Sequence, residues 1–105
     1  MAELIPEKAY FRIGEVSKIL GVAPHVIRYW ETEFKTIRPR RAKSDQRLYR
    51  KKDVEELLLI KKLLYEEKFT ISGAKKRLAE WREKQKFLLL IRQKLVEIKE
   101  ILDKR

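Results

Sequence analysis

Gly21 and Pro24 divide the first third of the sequence into two short segments whose apolar residues have helical spacing. Before Gly21 the apolar positions are 13, 16, 19 and 20, and after Pro24 they are 26, 27, 30 and 34. Gly21 can take the left-handed conformation that ends a helix. Pro24 suits the first turn of the next helix, because its φ is fixed and its missing N–H needs no acceptor there. The pattern predicts two short helices joined by a tight turn, which is a helix-turn-helix.

Few residues in the chain favour anything other than helix. The 105 residues include 3 glycines and 3 prolines, while 44% are hydrophobic and 41% are charged. A chain of this length fits one domain with a modest core. We therefore expect a mainly α fold whose charged residues cover its helices. The sequence has no cysteine, which excludes disulfides, thiol nucleophiles and thiolate metal sites.

Two short segments on either side of a basic loop predict a β hairpin, or wing. Pro39 cannot donate to a sheet ladder, so residues 37–41 fit only an edge strand. Residues 47–50 predict the return strand, with Leu48 anchoring the wing to the core. In the loop, Asp45 would take a positive φ less easily than glycine. An isolated hairpin is marginal, so this two-stranded wing must be supported by its neighbours.

The remaining sequence predicts three further helices. Helical spacing resumes after Asp53, whose carboxylate is favourable near a helix N-terminus. Thr70 is a good N-cap for a fourth helix. We therefore expect an N-terminal arm at residues 1–10, a four-helix winged helix-turn-helix domain at residues 11–82 and a terminal helix at residues 83–105.

The terminal segment has a coiled-coil pattern. Its apolar residues step by three, four, three and four positions through Leu88, Ile91, Leu95, Ile98 and Leu102. A helix with such a stripe needs a partner surface, and a second copy of the same helix supplies one. The alternative is that the helix folds back on its own domain. We favour a homodimer in which these residues form the dimerisation seam.

Positive charge is concentrated in one part of the sequence. The net charge is +11, and residues 35–52 carry nine basic side chains against one acid, Asp45. Such a patch attracts polyanions and is the electrostatic pattern of nucleic-acid binding. A solvated loop that only improves solubility is the alternative interpretation.

The sequence offers little for catalysis or metal binding. Its one histidine, His25, has no neighbouring cysteine or cluster of carboxylates, so we expect no metal site and no cofactor. Phosphate-binding glycine motifs are absent, and the serines lack an evident base. No apolar run is long enough to span a membrane. We expect a soluble, cytoplasmic, nucleoid-associated protein that is not an enzyme.

The order of these elements and three stretches of sequence resemble the MerR family of winged helix-turn-helix transcriptional regulators. The stretches are FRIGEVSKILGVAPHVIRYWE (11–31), QRLYRKKDVEELLLI (46–60) and FTISGAKKRL (69–78). The resemblance implies a bacterial regulator that binds a palindromic site in double-stranded DNA as a homodimer. It also implies that the second helices enter successive major grooves, that the wings touch the flanking DNA, and that antiparallel terminal helices set the half-site spacing.

The resemblance implies which residues of the second helix contact DNA. Arg28 and Tyr29 match the family's Arg-Tyr pair and should be the main contacts. Pro24 and His25 lie at the start of the helix, where side chains commonly meet the groove. For His25, a surface position without a DNA contact is an equal alternative. A core role is the alternative for Tyr29, and it is the favoured role for Trp30.

The wing supplies the second set of implied contacts. Arg47 and Tyr49 match family positions that approach the DNA backbone. Arg41, Lys43 and Arg50 are auxiliary candidates for phosphate contacts. Arg12, just before the first helix, is a further candidate outside the wing. The loop departs from the family pattern, because Ser44 and Asp45 stand where relatives often have glycine.

Two other functions compete with transcriptional regulation. One is an architectural or chromosome-anchoring protein, which would bind DNA with little sequence preference. The other is a protein-interaction module with negligible affinity for duplex DNA. For a regulator, RNA polymerase at the promoter is a further partner. No small-molecule effector is evident, because the sequence shows no metal-binding loop, redox cluster or drug-binding domain after the predicted coiled coil. This fits either a short regulator controlled by its abundance or by a partner protein, or the DNA-binding part of a longer chain.

Overall fold

A computed structural model describes residues 5–43 and 46–104 and divides the chain into two compact units, Met1–Ile71 and Ser72–Arg105. In chain order the elements are β1 (Tyr10–Arg12), α1 (Ile13–Leu20), α2 (Pro24–Glu33), β2 (Arg40–Arg41), β3 (Arg47–Arg50), α3 (Lys51–Lys61), a π-helical segment (Lys62–Glu66) and α4 (Ile71–Asp103). The predicted mainly α winged fold with a C-terminal helix is confirmed.

The predicted helix-turn-helix is present in the first unit. α1 ends at Leu20, and Gly21 follows with a φ of 71° and donates its N–H to the Ser17 carbonyl at 2.8 Å. Pro24 is the first residue of α2. The ammonium of Lys61 in α3 donates to the Leu20 carbonyl at 2.5 Å. This bond satisfies one of the carbonyls that a helix end leaves without a partner.

The core of the first unit draws on α1, α2, the sheet and α3. Its buried side chains are Phe11, Val16, Leu20, Ile27, Trp30, Phe34, Ile37, Tyr49, Val54, Leu57, Ile60 and Leu63. Burial of each large apolar side chain contributes about 1.5–3 kcal/mol to folding. Trp30 also meets Tyr65 edge to face, with ring centroids 5.8 Å apart. The predicted core role of Trp30 is therefore confirmed.

The wing belongs to a three-stranded antiparallel sheet with the strand order β1-β3-β2. β2 pairs with β3 as predicted, although it contains only the two residues after Pro39. β1 includes Tyr10 from the predicted N-terminal arm and places Phe11 opposite Tyr49 of β3. The hairpin thus has the support that it needs. The prediction for Asp45 falls outside the described residues.

The inward face of β3 is the opposite of the predicted one. Tyr49 has no exposed surface, whereas Leu48, the predicted anchor, is only half-buried. Successive strand residues point to opposite faces. With Tyr49 turned inwards opposite Phe11, Leu48 therefore lies on the outer face. The prediction was wrong because alternation does not say which face of a strand is buried.

Two strands lead directly into helices through the same arrangement. Arg12 ends β1, and its backbone N–H donates to the Glu15 carboxylate at 3.2 Å. Arg50 ends β3, and its backbone N–H donates to the Asp53 carboxylate at 3.0 Å. In both cases an acid in the first turn satisfies the N-cap N–H, which is half of a capping box. α3 accordingly begins at Lys51, two residues before Asp53.

One continuous helix, α4, spans the predicted fourth and terminal helices. It has 33 residues and begins directly after Thr70, the predicted N-cap. The chain contains neither glycine nor proline from Ala74 onwards, so no strong helix breaker interrupts it. The predicted domain boundary between residues 82 and 83 lies inside this helix.

Candidate nucleic-acid interface

The second helix of the helix-turn-helix has one buried face and one exposed face. Trp30 is buried, whereas His25, Arg28 and Tyr29 are exposed, with 53% of Tyr29 accessible. Pro24 is half-buried at the start of the helix. Residues three and four positions apart share a helix face, so His25, Arg28 and Tyr29 form one outward surface. The alternative core role for Tyr29 is therefore wrong.

A surface depression brings Arg28 together with residues from three other elements. Its lining, which we call the basic depression, consists of Arg12, Ile13, Gly14, Glu15, Lys18, Arg28, Gln46 and Arg47. Arg12 ends β1 directly before α1, Lys18 is exposed on α1, and Arg47 comes from β3. Three predicted contact residues that are distant in sequence thus lie on one surface.

The basic depression is strongly positive. Among the described residues that line it, Glu15 is the one carboxylate beside four cations. Glu15 accepts hydrogen bonds from the Lys8 ammonium and from the Arg12 backbone. These bonds, that of Lys8 above all, hold the pKa of Glu15 below its ordinary value of 4.5. Its charge is therefore already compensated, and the cations dominate the potential.

The start of α1 adds to this positive surface. N–H groups in a first helical turn lack acceptors within the helix, and the helix dipole is positive there. A Cβ at Gly14 would meet nothing within 4 Å, so the backbone at this point is open to close approach. Helix starts of this kind bind phosphate groups. Here the cationic side chains surround the same point.

Arg47 and Tyr49 of the wing both contact Glu31 of α2. Arg47 Nε donates to Glu31 Oε1 at 3.2 Å, and the Tyr49 hydroxyl donates to Oε2 at 2.8 Å. Burial, and to a smaller extent this hydrogen bond, raises the pKa of Tyr49 above its ordinary value of 10.0. Because Tyr49 has no exposed surface, it supports the wing in this conformation and does not offer its side chain to DNA. Arg47, by contrast, lines the basic depression.

Arg50 has a structural partner. Its Nε and Nη2 donate to the two carboxylate oxygens of Asp53 at 3.0 and 2.9 Å. This interaction raises the pKa of Arg50 above its ordinary value. Asp53 is buried, and a buried charge requires such a partner. Arg50 thus joins β3 to α3, whereas Arg41 and Lys43 are exposed on the wing.

The sequence prediction missed two lining residues of the basic depression, Lys18 and Gln46. A signal for Lys18 was present, because it lies four residues after Gly14 and so shares a helix face with the start of α1. Gln46 precedes Arg47 in a loop whose conformation no local pattern fixes. Its position depends on the sheet, which the sequence predicted only in part.

Neither a metal site nor a membrane span is evident in the part of the chain that the structure describes. Within residues 5–43 and 46–104, no group of three or more His, Cys, Asp or Glu side chains is arranged to hold a metal ion. The helices of the same ranges are too short or too polar to cross a membrane.

The sequence model of the MerR HTH family regulatory protein matches residues 11–81, which is well over half of the chain. The chain belongs to the MerR HTH family. The predicted resemblance is thereby confirmed, and the matched region contains the whole basic depression. Membership of the MerR family makes the chain a DNA-binding regulator of transcription, and its regulators are typically not enzymes. The search of curated proteins found no match.

Proposed function

We propose that this MerR-family chain is a homodimeric regulator that binds an inverted repeat in double-stranded DNA and controls the adjoining promoter. The observation that carries the proposal is the basic depression beside the exposed face of α2. A helix face that carries arginine, tyrosine and histidine fits the major groove. A cationic depression next to it fits the phosphates on the groove's edge.

Each part of the surface has a proposed role in binding. Arg28 contacts a guanine edge in two-point geometry, which its planar guanidinium suits. The Tyr29 hydroxyl donates a hydrogen bond to a phosphate. His25 lies on the same exposed face near the start of the helix and meets the groove there. Arg12, together with Lys18 and Arg47, holds a backbone phosphate in the basic depression. The cations at the tip of the wing, Arg41 and Lys43, contact the flanking backbone.

The proposed dimer rests on α4. The seam side chains are 41–61% exposed in the single chain; they are Leu88, Ile91, Leu95, Ile98 and Leu102. A long apolar stripe that is accessible to water is characteristic of an association surface, and its spacing of three and four residues fits a coiled coil. Two antiparallel copies bury the stripe and hold two helix-turn-helix units at a fixed separation, as the inverted repeat requires. Distortion of the bound promoter then changes how RNA polymerase meets it.

Selection of bound fragments from random duplex DNA tests this function. Binding is performed at roughly 0.15 M salt, where non-specific attraction is partly screened, and the bound DNA is sequenced. We expect an inverted repeat, and Arg28→Ala should lose the preference at one position in each half-site. If no motif is enriched and binding disappears as salt rises, the chain does not recognise an operator, and the architectural role replaces the regulatory one.

A further inference from the structure

Glu31 connects the second helix of the helix-turn-helix to the wing through both of its carboxylate oxygens. Oε2 accepts the Tyr49 hydroxyl at 2.8 Å, and Oε1 accepts Arg47 Nε at 3.2 Å. Only 15% of the Glu31 side chain is exposed. Hydrogen bonds to a charged group in such partly buried surroundings are stronger than those between neutral groups. The link therefore restrains one wing residue that is buried and one that is partly exposed.

The two partners of Glu31 have different degrees of freedom. Tyr49 is fully buried and lies opposite Phe11 in the sheet, so it is a fixed point for the carboxylate. Arg47 is a long side chain that would otherwise sample many rotamers at the surface, and fixing it costs conformational entropy. Its bond to Glu31 removes part of that freedom before any ligand arrives.

The restrained Arg47 faces the same surface as the main proposed DNA contact. Arg28 is one helical turn before Glu31, and Arg28 and Arg47 both line the basic depression. The position of a wing cation relative to a recognition-helix cation is therefore set through one carboxylate. Preorganisation of this kind raises affinity because less order has to be imposed on binding.

The charge of Glu31 makes its location informative. A carboxylate next to a surface that faces phosphates opposes binding, so an acid that merely happened to lie there should lower the affinity for every duplex. Its removal would then tighten binding to all DNA. If the carboxylate instead orients Arg47, its removal should weaken binding to the selected sequence.

We propose that Glu31 is a positioning residue that fixes Arg47 of the wing relative to Arg28 of the second helix, so that both meet one stretch of DNA. The inference rests on the proposed function, because it concerns how the same surface binds a specific duplex. It adds a residue that touches no DNA and yet ties the phosphate contact of Arg47 to the register that Arg28 sets on its base. Only the selected duplex offers both contacts in that register, so the gain is confined to it.

Four variants test the hydrogen bonds that Glu31 accepts from Arg47 and Tyr49. Glu31→Ala removes both bonds. Glu31→Gln removes the charge, so whichever way its amide is turned, Arg47 no longer has a carboxylate as its partner. Tyr49→Phe removes only the hydrogen bond from the Tyr49 hydroxyl. Glu33→Gln, on the same helix, makes the same change of charge two residues away and is the matched control.

The measurement is the affinity of each folded variant for the selected duplex and for a random duplex of equal length at the same salt. Glu31→Ala and Glu31→Gln should weaken binding to the selected duplex by about tenfold, as expected when a single contact is misplaced. Their affinity for the random duplex should stay unchanged or rise, and Glu33→Gln should preserve the ratio. Circular dichroism confirms that the variants are folded.

A second readout does not depend on DNA. The Arg47 Nε–H resonance should move and exchange faster with solvent in Glu31→Gln than in Glu33→Gln. If Glu31→Gln binds both duplexes more tightly, or loses affinity equally for both, the positioning role is wrong, and an unchanged Arg47 resonance also contradicts it. Absence of any selected motif for the unmodified protein would contradict the proposed function instead, and the Arg47 resonance would still decide whether the link exists.

Discussion

Two arginines of the proposed interface, Arg28 and Arg41, are expected to contribute differently to DNA binding. Arg28 lines the basic depression on the exposed face of α2, whereas Arg41 is exposed on β2 at the edge of the wing. Contacts to base edges carry sequence information, and contacts to phosphates do not. Arg28→Ala should therefore weaken binding to the selected duplex by about 1–3 kcal/mol, with little effect on random DNA.

Arg41→Ala is the matched comparison for Arg28→Ala. It should weaken binding to selected and random duplexes alike and reduce the slope of log affinity against log salt by about one. Fluorescence anisotropy titrations at several salt concentrations measure both quantities. If each variant changes the affinity for the two duplexes equally, the division between base and phosphate contacts is wrong.

Tyr49 predicts a dependence of stability on high pH. Burial and the Glu31 hydrogen bond raise its pKa above the ordinary value of 10.0. The folded chain thus holds this proton more tightly than the unfolded chain does. The protonated Tyr49 therefore contributes fully to the stability of the fold below pH 10.0, and this stabilisation is lost as the pH rises towards the pKa of Tyr49 in the folded chain. Tyrosinate absorbance should show a late-ionising component that is absent in Tyr49→Phe and present in Tyr29→Phe. A wild-type titration without that component would contradict the buried hydrogen bond.

Some residue roles were predictable from the sequence, and others were not. The exposure of His25 and Arg28 followed from the helical period once Trp30 was assigned to the core. The burial of Tyr49 did not follow, because its partners are 18 residues away at Glu31 and on a strand that the sequence did not reveal. Local patterns predict which residues share a face, but contacts distant in sequence decide which face is buried.

At the level of elements, the turn between α1 and α2 tests the helix-turn-helix. Gly21 has a φ of 71°, in the left-handed region that side chains with a Cβ avoid. Gly21→Ala should destabilise the fold by about 1–2 kcal/mol. Gly14 lies in α1 with open space around its Cβ position, so Gly14→Ala should be neutral or stabilise by up to about 1 kcal/mol. Urea unfolding measures both, and equal free-energy changes would show that backbone conformation is not the cause.

The boundaries of elements were predicted less well than their existence. The Gly-Pro pattern located the helix-turn-helix correctly because those two residues act locally. β1 escaped prediction because three residues, Tyr10–Arg12, have too little periodicity to indicate a strand, and only pairing with β3 makes them one. The long α4 was divided into two helices because the apolar pattern changes near residue 83, although the backbone has no reason to break there.

At the scale of the whole molecule, positive charge and the apolar stripe have separate tasks. A net charge of +11 attracts any polyanion and cannot by itself select a sequence. A single helix in the major groove covers only a few base pairs. A dimer doubles the contacted sequence, and the second half-site then binds as if it were at high effective concentration. Sequence selectivity therefore depends on whether α4 holds two copies together.

Adjacent residues of α4 provide the decisive variants. Leu95 belongs to the proposed seam and is 61% exposed in the single chain, and Val96 is 51% exposed but lies about 100° around the helix. Leu95→Glu and Val96→Glu thus add the same charge at neighbouring positions. Leu95→Glu should sediment as a monomer at concentrations where the wild type and Val96→Glu are dimers, because it places like charges inside the proposed seam.

The same pair of variants connects assembly to operator binding. Leu95→Glu should bind a single half-site as the wild type does but lose roughly 10²–10⁴-fold in affinity for the inverted repeat, since that gain comes only from linkage. Val96→Glu should retain the gain. A Leu95→Glu protein that stays dimeric would exclude this stripe as the dimer interface. If it is monomeric yet binds the inverted repeat with full affinity, the dimer forms on DNA through another surface, and α4 does not set the half-site spacing.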